Sequence, residues 1–282
     1  MPVSEFWLVP DTILLKPYAD GAIALVATES PGEPERAAKK IDSFLEICAL
    51  GGVFAPVASA PTSNPLKSPK EMGTNLMMLT IKAIHTYTNE QTKALTPKYV
   101  EFLERLKGLY AGYARTLEEA EFIGNAAAYF HRSRSTNEPL NRQFVDAAIA
   151  LEYLYNESPN DIAYKIAARA SVLLSLVGEN PVKAFGEIKR LYNVRNDLVH
   201  GRLMNPEFAD VTKIQHYARS SIKCFCILHS NAPKSKEDRI IELDKLVVDA
   251  ALRESCAALL NPLVEFDLSG RVEGAGIGRI DW

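Results

Sequence analysis

One short stretch of the chain carries three side chains that together could act on a phosphate group. Arg195, Asn196 and His200 lie in the run RLYNVRNDLVHG. A guanidinium can stabilise the negative charge of a phosphate, an imidazole can transfer protons near neutral pH, and an amide can orient both through hydrogen bonds. These residue types are typical of a site that binds a phosphodiester and performs acid–base chemistry on it.

A helix must present these side chains, and the spacing of apolar residues predicts one from Pro181 to His200. Arg195 falls inside the apolar seam of that helix, where a charged side chain is seldom buried unless it is paired or faces a cleft or an interface. On a regular helix, Arg195 and His200 are separated by about 140° and by roughly 7.5 Å along the axis. They cannot hold one phosphate from a single straight face, so either the last turn distorts or a second copy of the chain completes the site.

The same run resembles the signature of HEPN ribonucleases, in which an arginine is followed by a polar residue, three more residues and a histidine. The upstream stretch VDAAIALEYLYNESPNDIAYKIAARASVLLSLVGENPVKAFGEIK is similar to the ApeA-like branch of that superfamily, and the resemblance covers roughly residues 143 to 230. It implies a helical bundle that dimerises, brings two motifs into one composite cleft and cuts RNA without a metal or another cofactor. It also implies that His200 is the acid or base, Arg195 holds phosphate and Asn196 orients them.

On this hypothesis the residues that flank the motif contact the RNA, namely Lys189, Tyr192 and Arg202. The resemblance further suggests a homodimeric toxin or antiviral defence protein. The N-terminal region would then sense a signal or restrain the activity, with a regulatory protein as a further partner.

Two noncatalytic functions are alternatives to a ribonuclease. HEPN-type modules can bind nucleotides or partner proteins, because a fold does not determine an activity. An antitoxin-like regulator held in a heteromeric complex is another alternative. An open, electropositive cleft lined by Arg195 and His200 of two chains would favour the enzyme. Burial of Arg195 against a carboxylate of its own chain would favour the interaction module.

A second pair of charged residues lies in apolar surroundings. Glu152 sits between Leu151 and Leu154, and Arg169 lies on the apolar stripe of the next predicted helix. Because an unpaired buried charge is costly, we predict a largely buried, structural ion pair between Glu152 and Arg169.

Two further clusters carry weaker signals. Cys224, Cys226 and His229 form CxCxxH, but on a helix these side chains point in diverging directions, so we expect no metal site there. The run HRSRSTNEPLNR brings three arginines near a loop, where they form either a solvated basic loop or an RNA track. These arginines are Arg132, Arg134 and Arg142.

Composition limits the class of protein. The chain has 282 residues, of which 47% are hydrophobic, and a formal net charge of −3, so it is globular and has no global basic field for nucleic acid. The start of the chain lacks a signal peptide, and no window approaches the roughly 18 to 20 apolar residues of a membrane span. We expect a cytoplasmic protein without a membrane partner, in which the four scattered cysteines are reduced.

The pattern along the chain predicts an α+β fold class, with a small N-terminal mixed α/β domain followed by a larger all-α HEPN-like bundle. The predicted domains are residues 1–92, residues 93–262 and a Gly-rich tail, residues 263–282. Predicted N-terminal elements are strands 5–9, 12–16, 22–28, 52–55 and 75–85 and a helix 33–50. Predicted bundle helices are 97–114, 117–130, 141–155, 161–177, 181–200, 206–230 and 237–260.

Overall fold

A computed structural model of the chain describes residues 6–9, 13–18, 21–27, 46, 57–58, 76–82, 112–134, 138–202 and 204–265. The chain divides between residues 111 and 112 into two compact units. The first unit contains the described strands, and the second contains the described helices from residue 112 onward.

The strands are β1 Phe6–Val9, β2 Ile13–Tyr18, β3 Gly21–Ala27, β4 Val57–Ala58 and β5 Leu76–Lys82. They form one antiparallel sheet in the order β1-β2-β3-β5-β4. Strands β2 and β3 pair over six positions, from Ile13 opposite Val26 to Tyr18 opposite Gly21. The runs predicted as strands 5–9, 12–16, 22–28 and 75–85 overlap four of the five strands, whereas the predicted strand 52–55 lies outside the described residues.

The part of the chain whose side-chain burial the structure describes is all-α, which corrects the predicted fold class. Of the residues whose burial the structure describes, 80% are helical and none lies in a strand. Every side chain described as buried lies between Tyr113 and Leu260. The prediction of a mixed α/β domain in an α+β protein is therefore wrong, because it gave the short N-terminal apolar runs the same weight as the helical pattern that builds the core. The predicted helix 33–50 falls outside the described residues except for Glu46.

The predicted domain boundaries fall largely where the structure gives no description. Residues 92 and 93 lie outside the described ranges, as do residues 266–282 of the predicted tail. The boundaries therefore stay predictions.

Residues 112–119 are helical and lead into seven longer helices. Their break at Ala120 differs from the predicted gap at residues 115–116, and close packing accounts for it. A Cβ on Gly124 would lie 2.5 Å from the carbonyl oxygen of Leu117, so glycine lets the two helical segments meet there. The helices are α1 Glu121–Ser133, α2 Leu140–Tyr155, α3 Ile162–Ser175, α4 Pro181–Val199, α5 Phe208–Asn231, α6 Lys236–Lys245 and α7 Ala250–Glu265.

The single helix predicted over residues 237–260 is instead two helices, α6 and α7. Local hydrogen bonds stabilise the break between them. Asp249 accepts a hydrogen bond from the Leu252 N–H at 2.9 Å, which caps the start of α7. The Arg253 guanidinium donates to the carbonyls of Leu246 and Val247 at 2.8 and 2.9 Å, so carbonyl groups at the end of α6 are satisfied.

Helix α2 packs against α1, α3, α4 and α5. Tyr155 at its end is fully buried; its ring meets Phe225 of α5 edge to face at 5.3 Å, and its hydroxyl donates to Ser221 Oγ at 2.8 Å. These contacts anchor the end of α2, from which Glu152 reaches toward α4. In the described part of the chain, no helix is long and apolar enough to cross a membrane.

Candidate functional site

Helix α4 presents the predicted motif, and its two ends are well defined by local chemistry. Asn180 caps the first turn by accepting a hydrogen bond from the Lys183 N–H at 3.0 Å, with Pro181 at the first helical position. At the other end, Gly201 adopts a φ of +70°, which glycine tolerates without strain. The Arg202 N–H then donates to the Asp197 carbonyl at 2.8 Å. Arg195 and Asn196 therefore occupy regular helical positions, and His200 is the residue at which α4 ends.

Arg195 is paired with a carboxylate of its own chain. Its Nη2 lies 3.0 Å from Glu152 Oε1, and each side chain is 22% exposed. The Tyr192 hydroxyl donates to the same Oε1 at 2.7 Å, and the Arg195 guanidinium lies 5.5 Å from the centre of the Tyr192 ring. Burial, aided by the hydrogen bond to Glu152, raises the pKa of Tyr192 well above its usual value, so the phenol stays a donor. Glu152 thus holds two side chains of α4 in place.

This pairing leaves the Arg195 guanidinium incompletely satisfied. Its Nε is buried and has no hydrogen-bond partner among the described residues. A guanidinium offers five donor hydrogens, and Glu152 engages it through Nη2. Arg195 is therefore oriented by Glu152, and protein acceptors do not use all of its donors.

An open groove of about 650 Å³ runs beside this face of α4. The residues from α4 that line it are Lys189, Tyr192, Arg195 and Asn196. Its opposite wall comes from the turn before α3 and from the first turn of that helix: Pro159, Asp161, Ile162, Ala163 and Tyr164. The two walls meet because α3 and α4 pack together and are joined by the short connection 176–180, where Gly178 adopts a φ of +97°.

His200 and Arg202 do not line this groove. His200 is exposed at the end of α4, and Arg202 is exposed and lies 3.4 Å from the Asp197 carboxylate. Helix α4 runs without a break to Val199, so the last turn does not bend to bring His200 beside Arg195. One chain thus brings together four of the six predicted catalytic and RNA-binding residues.

The predicted ion pair between Glu152 and Arg169 is wrong. Arg169 instead pairs with Glu157, which lies just after α2, and with Asp244 of α6. Its Nε and Nη2 donate to the two Asp244 oxygens at 2.7 and 2.9 Å, and Nη1 donates to the Tyr155 carbonyl at 2.7 Å. The hydrogen bond from Arg169 lowers the pKa of Glu157. Glu152 faces α4 and pairs there with Arg195, whereas the irregular segment after α2 brings Glu157 to Arg169.

The sequence did not reveal two features of the groove. Glu152 was assigned a purely structural partner, although its position between Leu151 and Leu154 indicated a carboxylate that needs pairing in apolar surroundings. Tyr164 and Asp161 were not considered as site residues. Asp161 is the one described residue other than glycine with a positive φ, at +53°, and aspartate is one of the residue types that adopt this conformation most often after glycine.

The cysteine cluster lies in the core. Cys224 and Cys226 are fully buried, and burial raises the pKa of the Cys224 thiol to about 12. Cys48 lies outside the described residues. Within the described ranges, no group of three His, Cys, Asp or Glu side chains could hold a metal ion.

The basic run near residue 134 has local structural partners. Arg132 Nη2 and Arg142 Nε lie 3.1 and 3.4 Å from the two oxygens of Asp146, whose side chain is buried. Arg134 donates to Gln215 Oε1 at 3.0 Å. Because Asp146 offsets charge from two of these arginines, the structure favours a local structural role for the cluster over an RNA track.

No protein-family model, curated protein or solved structure matches this chain. The resemblance to HEPN ribonucleases therefore stays a prediction that rests on the sequence.

Proposed function

We propose that the helical unit binds RNA in the groove beside α4 and cleaves it without a metal, as a HEPN-type endoribonuclease completed by a second copy of the chain. The observation that carries this proposal is the position of two residues of the motif, since Arg195 and Asn196 both line the open groove. Lys189 adds a cation and Tyr192 an aromatic ring to the same wall. A phosphate with a neighbouring ribose matches this set of donors.

The proposed reaction needs no metal and no water in its first step. The ribose 2′-oxygen attacks the adjacent phosphorus, and His200 accepts the proton from the 2′-hydroxyl. Arg195 stabilises the charge that develops on the phosphate oxygens, while Asn196 orients the group. The protonated His200 then gives this proton to the 5′-oxygen of the next nucleotide, which leaves as the P–O bond breaks. The products are a 2′,3′-cyclic phosphate and a 5′-hydroxyl.

A second copy explains how His200 takes part. In one chain, His200 lies exposed at the end of α4 and outside the groove that Arg195 lines. If two bundles pair around their α4 ends, the His200 of each copy can reach the phosphate held by the other copy. The proposal also includes a cytoplasmic toxin or defence role, in which the N-terminal unit or a regulatory protein controls the nuclease.

The second candidate function is a module that binds a nucleotide or RNA without cutting it. The pair between Arg195 and Glu152 favours this alternative, because the carboxylate of the same chain neutralises part of the charge that a scissile phosphate would need. The two functions share the groove and differ in the role of His200.

The first experiment measures cleavage of single-stranded and structured RNA in EDTA by the full chain. Wild type should cut and His200→Ala should not. His216→Ala is the matched control, since His216 is exposed, pairs with Glu179 and lies outside the groove, so it should cut like wild type. Circular dichroism and gel filtration check that all three share one fold and one oligomeric state. Binding by wild type without any cleavage would establish the noncatalytic module.

Mixing two inactive variants tests the composite site. Arg195→Ala and His200→Ala are refolded together in equal amounts, so that half of the dimers contain one copy of each. Each such dimer has one intact site out of two, and the mixture should recover about a quarter of wild-type cleavage, as expected for sites shared across a two-fold axis. A mixture that stays inactive would place Arg195 and His200 in sites within single chains.

A further inference from the structure

The groove has a second wall that the motif does not explain. Tyr164 of α3 lies on it and is 57% exposed, although a tyrosine ring is costly to leave in water. Its ring meets Phe185 of α4 edge to face, with centroids 5.7 Å apart and planes at 80°. Phe185 therefore supports one edge of Tyr164 and orients an exposed aromatic ring at the groove.

A cation stands next to this aromatic pair. Lys189 lies one helical turn after Phe185, and its Nζ is 6.0 Å from the centre of the Phe185 ring. Among the described residues, Lys189 has no ion-pair partner, in contrast to Arg195. Lys189 thus contributes a positive charge to the groove. Asp161 is the acidic residue among those that line the groove, and it forms no ion pair with Lys189 in the described structure.

We propose that this wall is a nucleotide-recognition pocket in which Tyr164 stacks on one unpaired base while Lys189 binds an adjacent phosphate. A volume of about 650 Å³ is in the range of pockets that hold small organic ligands. Stacking needs a free base face, so the pocket selects single-stranded RNA over duplex RNA. The proposal rests on RNA binding in the proposed function, and adds a residue outside the motif that recognises the base.

Tyr164 is suited to a substitution test. Because it is exposed and its hydroxyl has no described hydrogen bond, its removal should leave the fold intact. Tyr164→Phe retains the aromatic face and should bind like wild type. Phe208→Ala is the matched control, because Phe208 is an aromatic residue that is 71% exposed on α5 and does not line the groove.

Binding is measured by fluorescence anisotropy with the full chain carrying His200→Ala, so that cleavage cannot change the probe. The probes are a labelled single-stranded oligoribonucleotide, the same strand with abasic sites, and its duplex. Tyr164→Ala should weaken binding of the intact strand about 5- to 150-fold, the range of one base stacked on an aromatic ring. The abasic strand and the duplex should bind weakly and should not respond to Tyr164→Ala. Lys189→Ala should weaken binding and lower its dependence on salt.

Three outcomes would overturn the pocket: equal binding by Tyr164→Ala and Phe208→Ala, an equal loss on intact and abasic strands, or no binding of any RNA. Failure of the proposed function is distinguishable, because it is judged by product formation with wild type. RNA binding that depends on Tyr164, without cleavage by wild type, would support the recognition pocket and contradict the proposed nuclease activity. Cleavage by wild type that is unchanged in Tyr164→Ala would support the nuclease activity and contradict the recognition pocket.

Discussion

Arg169 and Arg195 are both arginines in the apolar part of the same helical unit, and their surroundings differ. The Arg169 side chain is 8% exposed and is held by two carboxylates and a backbone carbonyl. The Arg195 side chain is 22% exposed, pairs with one carboxylate and lines a groove. Its buried Nε has no partner in the described structure.

The difference separates a structural arginine from a candidate ligand-binding one. Arg169 joins the end of α2, the middle of α3 and the end of α6, and its donors are directed at fixed protein acceptors. The donors of Arg195 are only partly used, and the remaining space beside it is open. A guanidinium that protein acceptors fully saturate cannot gain from a phosphate, whereas an undersatisfied one can.

The largest expected effect is on cleavage by Arg195→Ala. Removing one preorganised donor for transition-state charge should lower the rate about 100- to 1000-fold. Arg190→Ala is the matched control, since Arg190 lies on the same helix and pairs with Asp210 away from the groove. Single-turnover rates with equal RNA occupancy measure the effect. Similar rates for Arg195→Ala and wild type would show that the undersatisfied guanidinium has no part in catalysis.

Arg169→Ala should reverse the pattern, with a loss of stability and little change in cleavage per folded molecule. We expect the free energy of unfolding to fall by about 2 to 3 kcal/mol, since the substitution leaves the Tyr155 carbonyl unpaired and removes a buried ion pair. We expect a smaller loss of stability than for a fully buried ion pair, because Glu157 and Asp244 are 33% and 54% exposed and water can hydrate them once Arg169 is removed. Urea unfolding followed by circular dichroism gives the value. If Arg169→Ala lost less unfolding free energy than Arg195→Ala, the structural role of Arg169 would be contradicted.

The sequence predicted the helices that carry both arginines because one-sided burial leaves a clear period. The prediction 161–177 matches α3 to within one residue at its start and two at its end, and 181–200 matches α4 to within one residue at its end. The break between α6 and α7 was missed because Asp249 and Arg253 make it with hydrogen bonds, and both residue types also occur inside helices.

The pairing of charges was not predictable for a related reason. Periodicity shows that Glu152 and Arg169 face apolar surroundings, but it does not show which neighbouring helix each one meets. The partner of Arg169 in the segment after α2, Glu157, lies outside any helical period. The groove itself depends on the turn at Asp161, whose positive φ an aspartate permits but does not require. Motif residues were therefore found on one wall only.

Glu152→Gln removes the negative charge next to Arg195 and keeps an oxygen that accepts hydrogen bonds. The amide oxygen can still accept hydrogen bonds from Tyr192 and Arg195, while the neutral group no longer offsets the guanidinium charge. RNA should bind about 1.4- to 5-fold more tightly, in keeping with the roughly 0.2–1 kcal/mol typical of exposed ion pairs. Glu152→Ala is the companion variant, which loses the acceptor as well and should unfold more easily. Weaker RNA binding by Glu152→Gln would mean that the carboxylate charge itself supports the site.

The smallest expected effect concerns acid stability and Glu157. Because Arg169 lowers the pKa of Glu157 in the folded state, this carboxylate stabilises the fold above its unfolded pKa near 4.5. That contribution is lost as the pH falls through the lower, folded pKa. Glu157→Gln should therefore lose stability at pH 7 and show a shallower decline between neutral and acidic pH than wild type. The partial exposure of Glu157 keeps this difference small. Urea midpoints from pH 7 to pH 3 measure this difference, with Glu152→Gln as the comparison variant. If the midpoints of wild type and Glu157→Gln changed in parallel with pH, Glu157 would not be stabilised by Arg169 in the folded state.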